Sequence, residues 1–127
     1  MLAEAETILR LGIRWTQDNP ELQFSLNRNL GRDLLEQKKY AEAQPFLNAA
    51  IAQQQQLPTA IAGRGMANCF LSQVFQSQGN QTSALQQLNL CQEQVRPETL
   101  DEYQWLIDAG LQDVAVKADT TAIAHQR

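Results

Sequence analysis

LGRDLLEQKKYAEAQPFLNAAI at residues 30–51 and LSQVFQSQGNQTSALQQLNLC at residues 71–91 align without a gap. Leu30 falls on Leu71, Leu34 on Phe75, Ala43 on Ala84, Leu47 on Leu88 and Ala50 on Cys91, each pair 41 residues apart. In each stretch the apolar residues recur at helical spacing on both sides of a short polar break. Helices joined by so few residues must pack largely as antiparallel neighbours. A fixed period also makes a stacked array of helical hairpins the favoured architecture, with an unrelated all-helical bundle as the alternative.

Outward from this pair, strand signals are nearly absent and the pattern predicts six helices. The first spans about 2–17, with Leu2, Ala5, Ile8, Leu9, Gly12 and Ile13 inward. Asn19 as cap and Pro20 at the first helical position open the second, about 20–37. The third spans about 40–56, where Pro45 demands a kink or a delayed regular start. The fourth, about 60–78, stops at Gly79, and Asn80 caps the fifth, about 81–94, which buries Ala84, Leu85, Leu88 and Cys91. A sixth covers about 97–117, carrying Leu100, Tyr103, Leu106, Ile107, Leu111 and Val114. Residues 1–118 form one domain, and 119–127 read as a frayed tail or linker.

The small residue Gly31 is followed twelve residues later by Ala43, then Leu47 and Ala50, with Tyr40 ahead of them. Gly79, Ala84, Leu88 and Cys91 fall in the corresponding frame. On these residues the chain resembles the tetratricopeptide repeat family, in the long-period form found in bacterial regulatory and signalling proteins. The resemblance covers about residues 2–95. The first helix looks like the second helix of an incomplete unit, since Ala5 and Leu9 match Ala43 and Leu47. The departures are specific. Asn27 and Asn68 stand at the usual aromatic position, Ser72 replaces the small glycine, and Lys38 takes the turn position of Gly79. The resemblance implies an all-α, right-handed helical-hairpin solenoid of five or six helices.

Composition narrows the function. Ten Lys plus Arg against fourteen Asp plus Glu give a net charge of −4, so no broad basic surface points to nucleic acid or an anionic membrane. Nineteen glutamines supply much of the polarity. No stretch approaches the roughly 20 apolar residues of a membrane span. Cys69 and Cys91 lack metal-site spacing and are expected to be reduced, small apolar side chains of a cytoplasmic protein. His125, the only histidine, lies in the polar tail without a supporting group.

No histidine-containing metal pair, nucleophile elbow or phosphate loop is present, so no enzyme activity, metal or cofactor is expected. The glycines of GRG at 63–65 are expected to permit close helix approach or to mark an irregular first turn. QQQQ at 53–56 reads as a short polar helix end.

In the family, the first helix of each pair lines a concave groove. Carried over residue by residue, this puts Ser25, Arg28, Asn29 and Arg32 on the groove face of one hairpin. Met66, Cys69, Phe70 and Gln73 take the equivalent places on the next. Arg28 and Arg32, four apart, are suited to an acidic peptide segment or an exposed carboxylate. Arg28, Asn29 and Arg32, with Met66 and Gln73, are therefore the candidate contacts of a noncatalytic protein- or peptide-binding scaffold. The bland alternative pairs Arg32 with Glu36 on an exposed helix face. A second functional reading is a self-association or capping module, with a homodimer as one form, built on the terminal helices that carry Trp15 and Trp105.

Overall fold

The computed structural model describes residues 2–16 and 18–94. These form five α-helices and no strand: α1 (Leu2–Trp15), α2 (Pro20–Glu36), α3 (Tyr40–Gln54), α4 (Met66–Ser77) and α5 (Gln81–Gln94). The helix expected at 97–117, with Trp105, and the tail at 119–127 lie outside the described residues. Each helix packs on its chain neighbour, and α2 also meets α4.

The 41-residue period is visible in the backbone. α2 and α4 end at equivalent residues, and so do the starts of α3 and α5. Lys38 and Gly79, also equivalent, both adopt left-handed backbone, with φ of 62° and 79°. Lys39 N–H donates to Leu34 O at 2.9 Å, and Asn80 N–H donates to Phe75 O at 2.9 Å. These are the six-to-one bonds of a left-handed helix stop, which turn the chain back within three residues. Gly79 takes that conformation without steric cost, whereas Lys38 holds it against its own Cβ.

Packing repeats as well. Ala43 and Ala84 are both fully buried, as are Leu47 and Leu88. At Gly31 a Cβ would collide with the Leu47 side chain, so α2 and α3 approach at a point where only glycine fits. The equivalent Ser72 solves the same approach differently, its hydroxyl donating to Ala84 O at 2.7 Å.

Several expectations change. α4 begins at Met66, not near residue 60, because Gly63 and Gly65 sit at φ of 79° and 90° and keep the preceding chain out of helix. Pro45 lies inside α3 without delaying its start at Tyr40. Ile8 is 68% exposed and Leu85 42% exposed, although both were assigned inward. Leu9 and Ile13 are the α1 residues that pack on the core.

Cys69 and Cys91 are joined by a disulfide, not reduced as expected. The antiparallel pairing of α4 and α5 brings their Cα atoms to 5.1 Å, within bridging range. Both are buried, as expected. The bridge matters because α4 and α5 enclose a small core of their own, Ala84 and Leu88 under Phe75.

Three stability measurements check this account. Gly31→Ala should lower the unfolding free energy by about 1–3 kcal/mol through overpacking, while Lys38→Gly should raise it by roughly 1 kcal/mol by relieving left-handed strain. Cys69→Ala/Cys91→Ala, or a reductant in the unfolding buffer, should cost roughly 2–4 kcal/mol for closing a loop of this length.

Candidate ligand-facing surface on the first helices

Asn19 accepts from Leu22 N–H at 3.1 Å and starts α2, so Ser25, Arg28, Asn29 and Arg32 fall along a half-buried strip of that helix. Arg28 stacks its guanidinium 5.3 Å from the centre of the Phe24 ring. Its Nη1 donates to Ala62 O at 3.3 Å, which ties the 55–65 connection down onto α2. Gly63 lies directly under that guanidinium, where a Cβ would clash with it.

Arg32 behaves differently. Its side chain is 41% exposed, and its Nε lies 3.8 Å from Asp33 Oδ1, too far for a hydrogen bond. Among the described residues that Nε has no hydrogen-bond partner, although the atom itself is buried. The i,i+4 pairing with Glu36 is not formed; Asp33 is the acid Arg32 meets.

The second hairpin contributes less than the sequence suggested. Met66 is 1% exposed, and Cys69 and Phe70 are nearly as buried, all three within the core. α4 has α3 on one side, α5 on the other and α2 across from it, which leaves little of its surface open. Gln73 is half-buried. The strip on α2 and the core position of Met66 are therefore not one continuous lining.

The larger polar feature is one the sequence reading did not assemble. Asn27, at the position where the family carries an aromatic, donates through Nδ2 to Gln53 Oε1 at 3.1 Å. The equivalent Asn68 accepts from Gln94 Nε2 at 3.4 Å and from Gln54 Nε2 at 2.9 Å, and its own amide donates to Gln87 Oε1 at 2.9 Å. Gln23 extends the chain of amides, accepting from Gln53 and donating to Ile13 O at 3.1 Å. Two sets of bonds, one around Gln53 and one around Gln54, thus touch all five helices between them. Gln54, read as part of a polar helix end, is fully buried within the second set. The signal available in the sequence was the recurrence of Asn and Gln at the 41-residue period.

α1 is docked by charge. Glu6 accepts from Arg10 Nε at 3.1 Å and lies 3.7 Å from Lys39 Nζ, while the Arg10 guanidinium sits 4.8 Å from the Phe46 ring centre. The hydrogen bond from Arg10 holds Glu6 below the usual carboxylate range against a partial desolvation, with Lys39 assisting. Asp33 moves the other way: burial raises its pKa, neighbouring Arg32 opposes the rise, and Glu6 adds to it.

Among the described residues no cluster of His, Cys, Asp or Glu could hold a metal ion. No described helix is long and apolar enough to cross a membrane. Compared with known proteins, the chain matches no family model, no curated protein and no solved structure.

The two carboxylates should give opposite pH signatures. Asp33, with a raised folded pKa, costs stability when ionised, and that cost is relieved as pH falls through its folded pKa. Asp33→Asn should therefore raise the urea midpoint at neutral pH, the gain shrinking in acid. Glu6, with a lowered folded pKa, stabilises above its unfolded value of about 4.3, and that contribution is lost as pH falls through the folded value. Glu6→Gln should lower the midpoint at neutral pH and converge with the wild type in acid.

Proposed function

We propose that the chain is a noncatalytic binding module of the tetratricopeptide type, which holds an acidic peptide segment or a free carboxylate against the α2 strip. Arg32 carries the reading. It presents a fork of donors, at fixed charge, in a partly desolvated position where its Nε has no hydrogen-bond partner among the described residues. A carboxylate matches that fork and forms charge-assisted bonds there. Asn29, half-buried on the same strip, supplies a neutral amide beside it.

The repeated hairpin supports the family reading. Stops at Lys38 and Gly79, close approaches at Gly31 and Ser72, and buried Ala43 and Ala84 recur with one period. Such a stack is preorganised, so a ligand does not have to order its own site. Arg28 enters as a support: its bond to Ala62 O and its stacking on Phe24 fix the edge of the strip. Gln73 is the contact the second hairpin still offers, and Met66 lies in the core.

A cytoplasmic location went together with reduced cysteines, and the Cys69–Cys91 bridge removes that support, since disulfides persist mainly in oxidising compartments. Neither nucleic acid nor a membrane surface suits a chain of net charge −4.

Fluorescence titration with an acidic peptide, as the free carboxylate and as its amide, tests the reading. Arg32→Ala should weaken the free acid about tenfold or more, given about 1.5–3 kcal/mol for a hydrogen bond to a charged group, with helicity unchanged. Higher salt should weaken the wild-type complex as well. Equal affinity of the folded variant, together with salt-independent binding, would remove the α2 strip as the recognition site.

A further inference from the structure

Among the described helices α5 packs on α4 alone. Its buried residues divide. Ala84 and Leu88 form the small cluster under Phe75, while Cys91 joins the main core. The disulfide to Cys69 is thus the point at which the apolar side of α5 is tied to that core. Amides flank the bridge. Gln87 and Gln94, one turn to either side of Cys91, both bond to Asn68, the chain neighbour of Cys69, at 2.9 and 3.4 Å. Asn68 and Gln94 also accept from Gln54 Nε2, at 2.9 and 3.2 Å. At the other end of the same side chain Gln54 Oε1 accepts from Gly65 N–H, and Arg64 bonds the Gln54 carbonyl. Ala62 O, in the same connection, holds Arg28 at the edge of the α2 strip. A continuous path of bonds runs from the bridge through Gln54 to the strip.

Opening the bridge acts along this path. A dithiol reductant attacks through its thiolate at Cys69 Sγ, since Cys69 is 3% exposed and Cys91 not at all. The Cys69–Cys91 bond breaks as the mixed disulfide forms, and Cys91 leaves as a thiolate that takes up a proton. The second thiol of the reductant, once ionised, displaces Cys69 in turn. The protein gains two thiols and the reductant becomes a cyclic disulfide. Without the bridge α5 keeps a two-residue core, and its opening draws Gln87 and Gln94 away from Asn68 and Gln54. Buried amides left short of partners rearrange to recover them. Gln54 is the amide that positions the 55–65 connection, so its rearrangement loosens the edge that Arg28 holds.

We propose that the Cys69–Cys91 bridge is a redox switch for the α2 strip. Oxidised, it holds the 55–65 connection in the geometry that binds; reduced by a dithiol, it releases that connection. The switch rests on the α2 strip being the ligand site. Its coupling is reciprocal, so a ligand that prefers the bridged form makes the bridge harder to reduce by the same factor.

Amide hydrogen exchange of the full chain, bridged and after reduction with dithiothreitol, tests the path without a ligand, with circular dichroism as the folding control. Reduction should speed exchange across α5 and at Gly65 N–H, on the order of tenfold, with helicity retained. Gln87→Ala/Gln94→Ala cuts the path with the bridge intact and should speed Gly65 in the same sense. Unaltered exchange of Gly65 in either the reduced chain or this variant would overturn the switch, as would loss of helicity throughout on reduction. Titration with the acidic peptide as its free carboxylate then separates the switch from the site. The bridged chain should bind on the order of tenfold more tightly than the reduced one. Equal affinity of the two forms would overturn the switch and leave the strip in place. Absence of binding by the bridged chain would overturn the strip itself, a distinct result.

Discussion

An amide side chain with no exposed surface has to find every hydrogen-bond partner within the protein, and Gln54 is such a side chain. Its Oε1 accepts from Gly65 N–H at 3.1 Å, and its Nε2 donates to Asn68 and to Gln94 at 2.9 and 3.2 Å. Arg64 Nη1 reaches its main-chain oxygen at 2.6 Å. One residue near the end of α3 thus fixes where the 55–65 connection ends, where α4 begins and how α5 lies beside it. A partner lost here leaves a buried polar group uncompensated, at about 1–3 kcal/mol. Apolar contacts could slide by a turn at smaller cost, whereas this set of bonds is made in only one register. The connection held in that register is also the one Arg28 grips through Ala62 O. The edge of the α2 strip therefore depends on Gln54.

The covalent tie complements this arrangement. The first hairpin has Gly31 against Leu47 and a continuous core with Phe24, Leu30 and Leu34. The second has a serine at the close approach and little apolar surface between its helices beyond Ala84, Leu88 and Phe75. Cys91 occupies the place of Ala50, so the bridge occurs where the first hairpin is held by packing alone. The hairpin with the weaker core carries the cross-link.

Much of the helical layout was legible because it rests on local signals. Asn19–Pro20, the left-handed stop at Gly79 and the paired alanines act over a few residues, whereas Lys38, a departure from the turn pattern, takes the same left-handed backbone. What was not legible depended on helix orientation. Ile8 and Leu85 are apolar, and only the packing shows that they face out. Met66 sat in the family's groove frame, yet α4 is enclosed by three helices and Met66 belongs to the core. The cysteines are 22 residues apart, a separation that says nothing until α4 and α5 are antiparallel. Lengthening the loop before α4 was also hard to anticipate, since it takes two positive-φ glycines and the Gln54 bonds acting together. At the candidate site the sequence names residues but not their neighbours: the Arg32 side chain is 41% exposed with its Nε buried, and the acid beside it is Asp33, not Glu36.

The same amide positions that align the two hairpins also set them apart from α1. Asn27 with Gln53, and Asn68 with Gln94, are matched polar pairs, and inserting an apolar helix against either would strand an amide. Trp15 has the opposite requirement, since its indole covers apolar surface well and offers a single donor. An apolar helix at the place of Asn27 or Asn68 is therefore rejected by the internal positions, and a helix that presents an amide is rejected by Trp15. Each rejection costs the desolvation of an unpaired amide, about 1–3 kcal/mol on protein mutational scales. Two such mismatches amount to about 2–6 kcal/mol, a sizeable share of the roughly 5–15 kcal/mol by which a small domain is stable. Pairing polarity at this register thus favours the observed order of the helices, and Gln54 anchors that register from within the chain.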